Sequence, residues 1–153
     1  MIVLDASILA NAVGDDAEDG EDGEDGDRAR GVLLGAGDVA VPDLADVETA
    51  SVLRRRWRAG DIDTDRFSAA LDDLMALPLA RYPARPLLRR AFELRNNVTP
   101  YDTCYVALAE SLDCPLYTAD ARLAKAPGPT CRIELVNWLL ILADCPACTV
   151  HRH

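Results

Sequence analysis

The stretch that decides the fold is the opening Met1-Ile2-Val3-Leu4-Asp5-Ala6-Ser7-Ile8-Leu9. Ile2-Val3-Leu4 is a short, wholly apolar run, which is typical of a strand buried in a parallel sheet. Asp5 ends that run, and Asp5-Ala6-Ser7 supplies the capping chemistry for a helix over Ile8–Asn11. The sequence therefore predicts that the chain opens on a strand–turn–helix unit with a carboxylate at the turn.

Working outward, strands and helices alternate along the rest of the chain. The other predicted strands are Val39–Val41, Leu79–Tyr82, Pro115–Thr118 and Cys131–Val136. The other predicted helices are Ala29–Leu34, one running from Leu44 to Gly60, one capped by Thr64, Pro86–Arg95, one starting at Thr99-Pro100 and running to Leu112, and a turn over Ala121–Lys125. This alternation predicts an α/β protein, a three-layer α/β/α fold with a mainly parallel central sheet.

Length and composition exclude several classes of protein. A chain of 153 residues, half of them apolar, fits one domain with a core of its own. It leaves no room for a two-domain dehydrogenase, a protein kinase or a full (β/α)₈ barrel. The aromatic share of 5% argues against an aromatic platform on which nucleic-acid bases stack.

The formal net charge of −10 is concentrated in one segment, residues 14–27, which holds nine acids and no base. Subtracting those nine from 26 acids leaves 17, against 16 bases, so the rest of the chain is nearly neutral and compatible with a polyanionic substrate. Residues 18–26 repeat Glu-Asp-Gly three times. We expect an acidic, mobile loop here, because such a segment cannot bury apolar surface. A calcium site is the alternative, although the spacing does not fit an EF-hand.

Histidine and cysteine usage narrows the chemistry further. The two histidines, His151 and His153, lie in the last three residues, which argues against a Ser–His–Asp triad or a Cys–His pair inside the fold. Catalysis must then rest on carboxylates, hydroxyls and bound metal. The opening lacks the features of a signal peptide, and no apolar run approaches the ~20 residues of a membrane span. We therefore expect a soluble, cytoplasmic protein with no membrane association, in which Cys104, Cys114 and Cys131 are ordinary small apolar residues.

Residues 137–153 form an apolar C-terminal tail with an unusual end. Cys145, Cys148, His151 and His153 are four soft ligands within nine residues, as in a small Zn²⁺ site, and Cys145-Pro-Ala-Cys148 is similar to a redox pair. The tight spacing and the position at the chain end favour a frayed terminus over both. Trp138–Leu142 is expected to cover the core or a dimer interface.

Four acids are predicted at the edge of the sheet where open parallel sheets bind ligands. Asp5 and Asp120 each follow a predicted strand, Asp102 lies in the first turn of a helix, and Glu48 lies on the helix after the second strand. Each has an ordinary explanation as a cap, a turn residue or an exposed helix acid. Gathered together they would repel one another unless a hard divalent cation compensated, and oxygen ligands suit Mg²⁺ or Mn²⁺. Such an ion could activate water for phosphodiester cleavage.

The same residues carry a family resemblance. Four motifs together resemble a PIN-domain nuclease of the VapC toxin type, over residues 1–136. They are Ile2-Val-Leu-Asp5-Ala-Ser7-Ile-Leu, Pro42-Asp-Leu with Glu48, Thr99-Pro-Tyr-Asp102 with Tyr105-Val-Ala-Leu-Ala-Glu, and Pro115-Leu-Tyr-Thr118-Ala-Asp120 with Arg122-Leu-Ala. The resemblance implies a Mg²⁺- or Mn²⁺-dependent endoribonuclease, the toxin of a type II toxin–antitoxin pair. It also implies that Asp5, Glu48, Asp102 and Asp120 are the catalytic, metal-binding acids, supported by Ser7 and Thr118. A VapB-type antitoxin and a homodimer are further implied.

Two features depart from that family's pattern. Some relatives carry a further acid just after the fourth, where this chain has Arg122-Leu123, and the Glu-Asp-Gly insertion is not a family feature. Two alternatives therefore stay open: an inactive PIN fold that binds RNA or protein, and a PIN nuclease of RNA processing without an antitoxin. Asp43 and Asp46 are interpreted as helix-start acids. The candidate RNA-contacting residues are Arg54, Arg55, Arg56, Arg58, Arg81, Arg85, Arg89, Arg90 and Arg95, although each is equally explained as part of a solvated helix face.

Overall fold

The computed structural model of the chain describes residues 1–15 and 20–136. These residues form a five-stranded, wholly parallel sheet in the order β3-β2-β1-β4-β5, so the first strand lies at its centre. The strands are β1 (Ile2–Leu4), β2 (Val39–Pro42), β3 (Ala80–Tyr82), β4 (Leu116–Thr118) and β5 (Ile133–Leu135). The prediction of an α/β fold with a mainly parallel sheet is confirmed.

Helices fill the connections between the strands. They are α1 (Ala6–Gly14), α2 (Gly20–Gly35), α3 (Ala45–Ala59), α4 (Thr64–Ala76), a 3₁₀ helix (Arg85–Leu88), α5 (Arg89–Glu93), α6 (Pro100–Leu112) and α7 (Ala121–Ala124). Crossovers between parallel strands are right-handed, and the chain moves one way from β1 to β3 and the other way from β3 to β5. Consequently α1–α4 cover one face of the sheet and α5–α7 the other.

The core is built from the central strands and from α6. Every residue of β1 and β2 is buried, and residues 103–109 of α6 are buried as a continuous run. The largest fully buried side chains include Tyr105, Leu4, Ile8, Leu53 and Leu116. The strand order reverses beside β1, which creates a crevice at the carboxyl ends of β1 and β4 where such sheets bind ligands.

The C-terminal end of α1 is fixed by arginines rather than by a basic residue of its own. Guanidinium groups from the next three helices donate to its backbone carbonyls: Arg30 to Ala12 and Asp15, Arg56 to Ala10, and Arg66 to Val13. The last carbonyls of a helix have no partner within the helix, and cations there also complement its dipole. Arg56 additionally binds Asp15 at 2.8 Å and the side chain of Asn11. Arg56 therefore ties α3 to α1.

The acidic segment differs from its prediction. Residues 20–27 lie within α2, so the expected loop is wrong there, and the expected helix over Ala29–Leu34 is only the second half of a longer one. Ion pairs one helical turn apart stabilise it, from Arg28 to Glu24 at 2.9 Å and from Arg30 to Asp27 at 2.7 Å. Residues 16–19 lie outside the described part of the chain.

Three smaller details also differ from the sequence predictions. The cap of α4 is Asp63, whose carboxylate accepts from the Arg66 N–H at 2.7 Å, and Thr64 is the first helical residue. The predicted helix over Pro86–Arg95 divides into the 3₁₀ helix and α5. The tail, residues 137–153, with its possible zinc or redox site, lies outside the described residues.

We predict opposite effects for alanine at two glycines of α2. At Gly26 a Cβ would lie 2.6 Å from Asp15 Cβ and 3.0 Å from the Asn11 carbonyl oxygen, whereas at Gly31 it would meet nothing within 4 Å. Gly31→Ala should stabilise the protein by about 0.5–1 kcal/mol through helix propensity. Gly26→Ala should destabilise it by about 1 kcal/mol, because overpacking of α1 outweighs that gain. Urea unfolding measures both, and equal stabilisation by the two variants would contradict the close packing of α2 on α1.

Candidate active site

Asp5 occupies the crevice at the centre of the sheet. It follows β1, its N–H binds the Tyr117 carbonyl of β4 at 3.2 Å, and only 5% of the residue is exposed. One carboxylate oxygen, Oδ1, accepts from the N–H groups of Ser7 at 3.0 Å and Ile8 at 3.3 Å, so Asp5 is the N-cap of α1. The helix-cap interpretation is therefore correct for Asp5, and it does not exclude a second role.

Two hydroxyls complete the environment of the Asp5 carboxylate. The Ser7 hydroxyl donates to Oδ1, and the buried Thr118 hydroxyl donates to Oδ2. The same hydroxyl oxygens accept from the backbone after β4: Ser7 Oγ from Ala119 N–H and Thr118 Oγ1 from Asp120 N–H, both at 3.0 Å. These hydrogen bonds join β1, α1 and the end of β4 around one buried carboxylate.

Asp120 and Asp102 lie at the starts of two helices. Asp120 is the N-cap of α7, and its Oδ1 accepts from the N–H groups of Arg122 at 2.8 Å and Leu123 at 3.4 Å. Asp102 lies in the first turn of α6, where its N–H binds the hydroxyl of the capping residue Thr99 at 3.1 Å. Both carboxylates are partly exposed, in contrast to Asp5.

Glu48 reaches the site from the opposite face of the sheet. It lies in the first turn of α3, and its Oε1 accepts from the Tyr105 hydroxyl of α6 at 3.2 Å. Tyr105 is only 1% exposed, so its ring lies in the core and its hydroxyl reaches the site. No site role was predicted for Tyr105 from the sequence, although it follows Asp102 by three residues, a spacing that places both on one face of α6.

The four carboxylates influence one another's ionisation. Burial raises the pKa of Asp5, and it also raises the pKa of Glu48 and of Asp102. Repulsion adds to this effect, since Asp102 and Asp5 raise the pKa of Glu48 and Asp120 raises that of Asp102. The structure thus brings the four predicted acids into one electrostatic cluster, hereafter the carboxylate cluster.

An arginine, Arg122, contacts the carboxylate cluster. Arg122 Nη2 lies 3.5 Å from Asp120 Oδ2, and the Arg122 side chain is 84% exposed. From the sequence, Arg122 belongs to the motif that carries the family resemblance and stands where some relatives have a further acid, and no role of its own was predicted for it. The feature of the sequence that could have indicated this contact is that Arg122 follows Asp120 by two residues.

The chemistry of the carboxylate cluster fits a hard divalent cation, since its ligands are carboxylate oxygens and burial disfavours their uncompensated charges. In their present positions, however, no three His, Cys, Asp or Glu side chains of residues 1–15 and 20–136 form a group able to hold one ion. The four acids therefore interact electrostatically, but in these positions they do not form a set of ligands for one ion.

Several of the predicted RNA-contacting arginines have structural partners instead. Arg56 binds the end of α1, Arg81 binds Asp46 at 2.7 Å, and Arg90 binds Glu110 at 3.0 Å. Asp46 lies in the first turn of α3, as predicted, and the carboxylate of Asp43 accepts from the Ala84 N–H at 3.1 Å. Arg54, Arg55 and Arg58 are exposed on α3, and Arg85, Arg89 and Arg95 are exposed around α5.

A cavity of about 230 Å³ lies at the amino end of β4 and β5, on the edge of the sheet opposite the carboxylate cluster. Cys114 and Cys131 line it as free thiols, and Cys104 is a buried free thiol on α6. Burial raises the pKa of Cys131 to about 11, so this thiol is protonated at neutral pH. None of the predicted site residues lines this cavity.

Comparison with known proteins connects this fold and site to a family. The sequence profile described as "PIN domain" matches residues 2–129. Ribonuclease VapC1 of Mycobacterium tuberculosis is 49% identical over 97 residues, which cover 63% of this chain and 73% of that protein. Ribonuclease VapC9 of the same organism is 40% identical over 139 residues, 89% of this chain and 98% of that protein. The chain therefore belongs to the PIN-domain family and, within it, to the VapC ribonucleases.

A solved structure gives the same result for the fold. Mycobacterium tuberculosis VapC20, described as a Sarcin-Ricin loop cleaving toxin, superposes with a TM-score of 0.61 at 17% identity, over 81% of this chain and 93% of that one. The family resemblance predicted from the sequence is thus confirmed. The predicted domain boundary at residue 136 stays a prediction.

The raised pKa values predict how stability depends on pH without divalent ions. The ordinary values are 3.8 for Asp and 4.5 for Glu, and burial raises the pKa of Asp5, Glu48 and Asp102 above them. The folded chain then binds more protons than the unfolded chain, so the stability linked to these groups is complete below about pH 4. It is lost as the pH rises through the raised values.

Glu48→Gln removes one of these groups, so the free energy of unfolding of this variant should decline less than that of the parent between pH 4 and pH 8. Urea unfolding in EDTA at the two pH values measures the difference. Asp72→Asn, at an exposed position of α4, is the control and should follow the parent. Parallel pH curves for the parent and Glu48→Gln would contradict the raised pKa of Glu48.

Proposed function

We propose that this chain is a divalent-metal-dependent endoribonuclease, acting as the toxin of a two-component toxin–antitoxin pair. The observation that carries the proposal is the convergence of Asp5, Glu48, Asp102 and Asp120 from both faces of the sheet onto one crevice, in a chain of the VapC family. These four acids would be the catalytic, metal-binding residues. Their separate positions after β1, on α3, on α6 and after β4 explain why the whole fold is needed to assemble them.

The chain's own residues would orient and tune this site. Ser7 and Thr118 fix both oxygens of Asp5, and Tyr105 fixes Glu48, so the carboxylates need little reorganisation before reaction. Mg²⁺ or Mn²⁺, when bound, would activate water and stabilise charge on the phosphate that is cut. Burial of Asp5, Glu48 and Asp102 strengthens their attraction for a cation, because it makes their uncompensated negative charge unfavourable.

The proposed partners follow from the same site. RNA would be the substrate and would place the site of action in the cytoplasm. A VapB-type antitoxin would cover the crevice, and the toxin would form a homodimer, as the family resemblance implies. Within residues 1–15 and 20–136, no helix is long and apolar enough to cross a membrane.

The first test is cleavage of total RNA by the purified full chain in Mg²⁺ or Mn²⁺. We expect discrete products that disappear in EDTA and fall by about 100-fold or more in Asp5→Asn and Asp102→Asn, which remove ligand charge. Asp72→Asn removes the same charge from the exposed face of α4 and should cleave like the parent. Folded protein, free of antitoxin, that cleaves in neither metal would favour an RNA- or protein-binding role instead.

A second prediction concerns the Thr118 hydroxyl. Thr118→Val removes the hydrogen bond to Asp5 Oδ2 and leaves the Asp120 N–H without its acceptor. Cleavage should fall by about 10–100-fold, as for other groups that orient metal-binding residues. Thr118→Ser retains the hydroxyl and should keep activity within a few-fold of the parent. Equal losses in the two variants would indicate a packing role for the methyl group rather than orientation of Asp5.

A further inference from the structure

Arg122 is anchored at the carboxylate cluster by its backbone and is exposed at its tip. It is the second residue of α7, and its N–H binds Asp120 Oδ1 at 2.8 Å. The guanidinium extends over the other oxygen of Asp120, at 3.5 Å, with 84% of the side chain exposed. A positive charge thus lies on the solvent side of the cluster, where a polyanion entering the crevice would meet it.

The charge of Arg122 reaches beyond Asp120. Burial is the largest influence on the pKa of Asp102 and raises it, whereas Arg122 acts in the opposite direction and lowers it. Arg122 therefore lies within electrostatic range of two of the four acids, and it partly offsets the potential by which the cluster would repel a phosphate.

Two of the arginines named as RNA contacts are less available to a ligand. Arg81 holds Asp46 with two of its nitrogens, and Arg90 holds Glu110 and the Gly128 carbonyl. Arg122 has a single long ion pair at the surface, an interaction of little strength that a better partner can replace. A phosphate offers such a partner, since its oxygens match the two-pronged guanidinium group.

We propose that the Arg122 guanidinium binds the phosphodiester group of RNA at the rim of the carboxylate cluster, exchanging its ion pair with Asp120 for phosphate oxygens. This inference rests on the proposed ribonuclease function, because it assigns the residue that receives the substrate's phosphate at that site. Arg122 is then a substrate-binding residue in the stretch where some relatives carry a further acid.

The test measures binding of a labelled single-stranded RNA to the full chain carrying Asp5→Asn, which prevents cleavage. Arg132→Ala is a closely matched control for Arg122→Ala. Both arginines are largely exposed (74% for Arg132), both pair with an acid two residues away, and Arg132 lies beside the cavity at the opposite edge of the sheet.

Arg122→Ala should weaken binding about tenfold. It should also reduce the slope of log affinity against log salt concentration by about 0.7, the loss of one phosphate contact to a single strand. Arg132→Ala should change neither by more than about twofold in affinity. Arg122→Lys keeps the charge and should retain the slope while losing part of the affinity, because lysine lacks the two-pronged geometry.

Three results would overturn the inference: unchanged binding in Arg122→Ala, equal weakening in Arg122→Ala and Arg132→Ala, or an Arg122→Lys variant with the reduced slope of the alanine variant. Thermal unfolding of each variant confirms that the chain is folded, and Arg122→Gln is the substitute if the alanine variant is not. Cleavage by the parent with unchanged RNA binding in Arg122→Ala refutes this inference alone. Loss of binding in Arg122→Ala, with no cleavage by the parent, refutes the proposed function alone.

Discussion

A carboxylate buried at the centre of the sheet sets the constraint on which the rest of the structure depends. Removing Asp5 from water is costly unless its oxygens are hydrogen-bonded. Two backbone N–H groups of α1 and the hydroxyls of Ser7 and Thr118 meet that need. Since those donors come from α1 and β4, satisfying Asp5 requires β1, α1 and β4 in their native arrangement. The hydrogen bonds around Asp5 are therefore complete only when β1, α1 and β4 have folded together.

Side chains of opposite charge bind the two ends of α1. Its N-terminus, the positive end of the helix dipole, meets the Asp5 carboxylate, and its C-terminal carbonyls meet Arg30, Arg56 and Arg66. The arginines that hold this end come from α2, α3 and α4, so one helix orders a whole face of the sheet. This use of arginine explains why Arg56, one of the basic side chains that suggested a nucleic-acid surface, has structural partners instead.

Much of the fold and of the candidate site could be predicted from the sequence, because both follow local rules. Short apolar runs ended by Asp5, Pro42 and Thr118 mark the strands, and polar residues after parallel strands gather at one edge. The acidic helix could not be predicted, since its glycines favour a loop and its helical state depends on packing against α1. The Tyr105–Glu48 hydrogen bond and the position of the Arg122 guanidinium depend on which helices meet in space, which spacing along the chain does not reveal.

The central position of β1 also has a consequence for the order in which the protein is made. Thr118 follows Asp5 by 113 residues, and β4 must pair with β1 before the Asp5 carboxylate has its full set of donors. A growing chain on the ribosome therefore carries the first acid of the cluster from the outset and gains the last only when residue 120 has been added. For a protein proposed to cut RNA, a nascent chain that lacks Asp120 would not yet carry the full set of proposed catalytic acids. The complete carboxylate cluster thus requires both the chain up to residue 120 and the pairing of β4 with β1, two events far apart along the sequence.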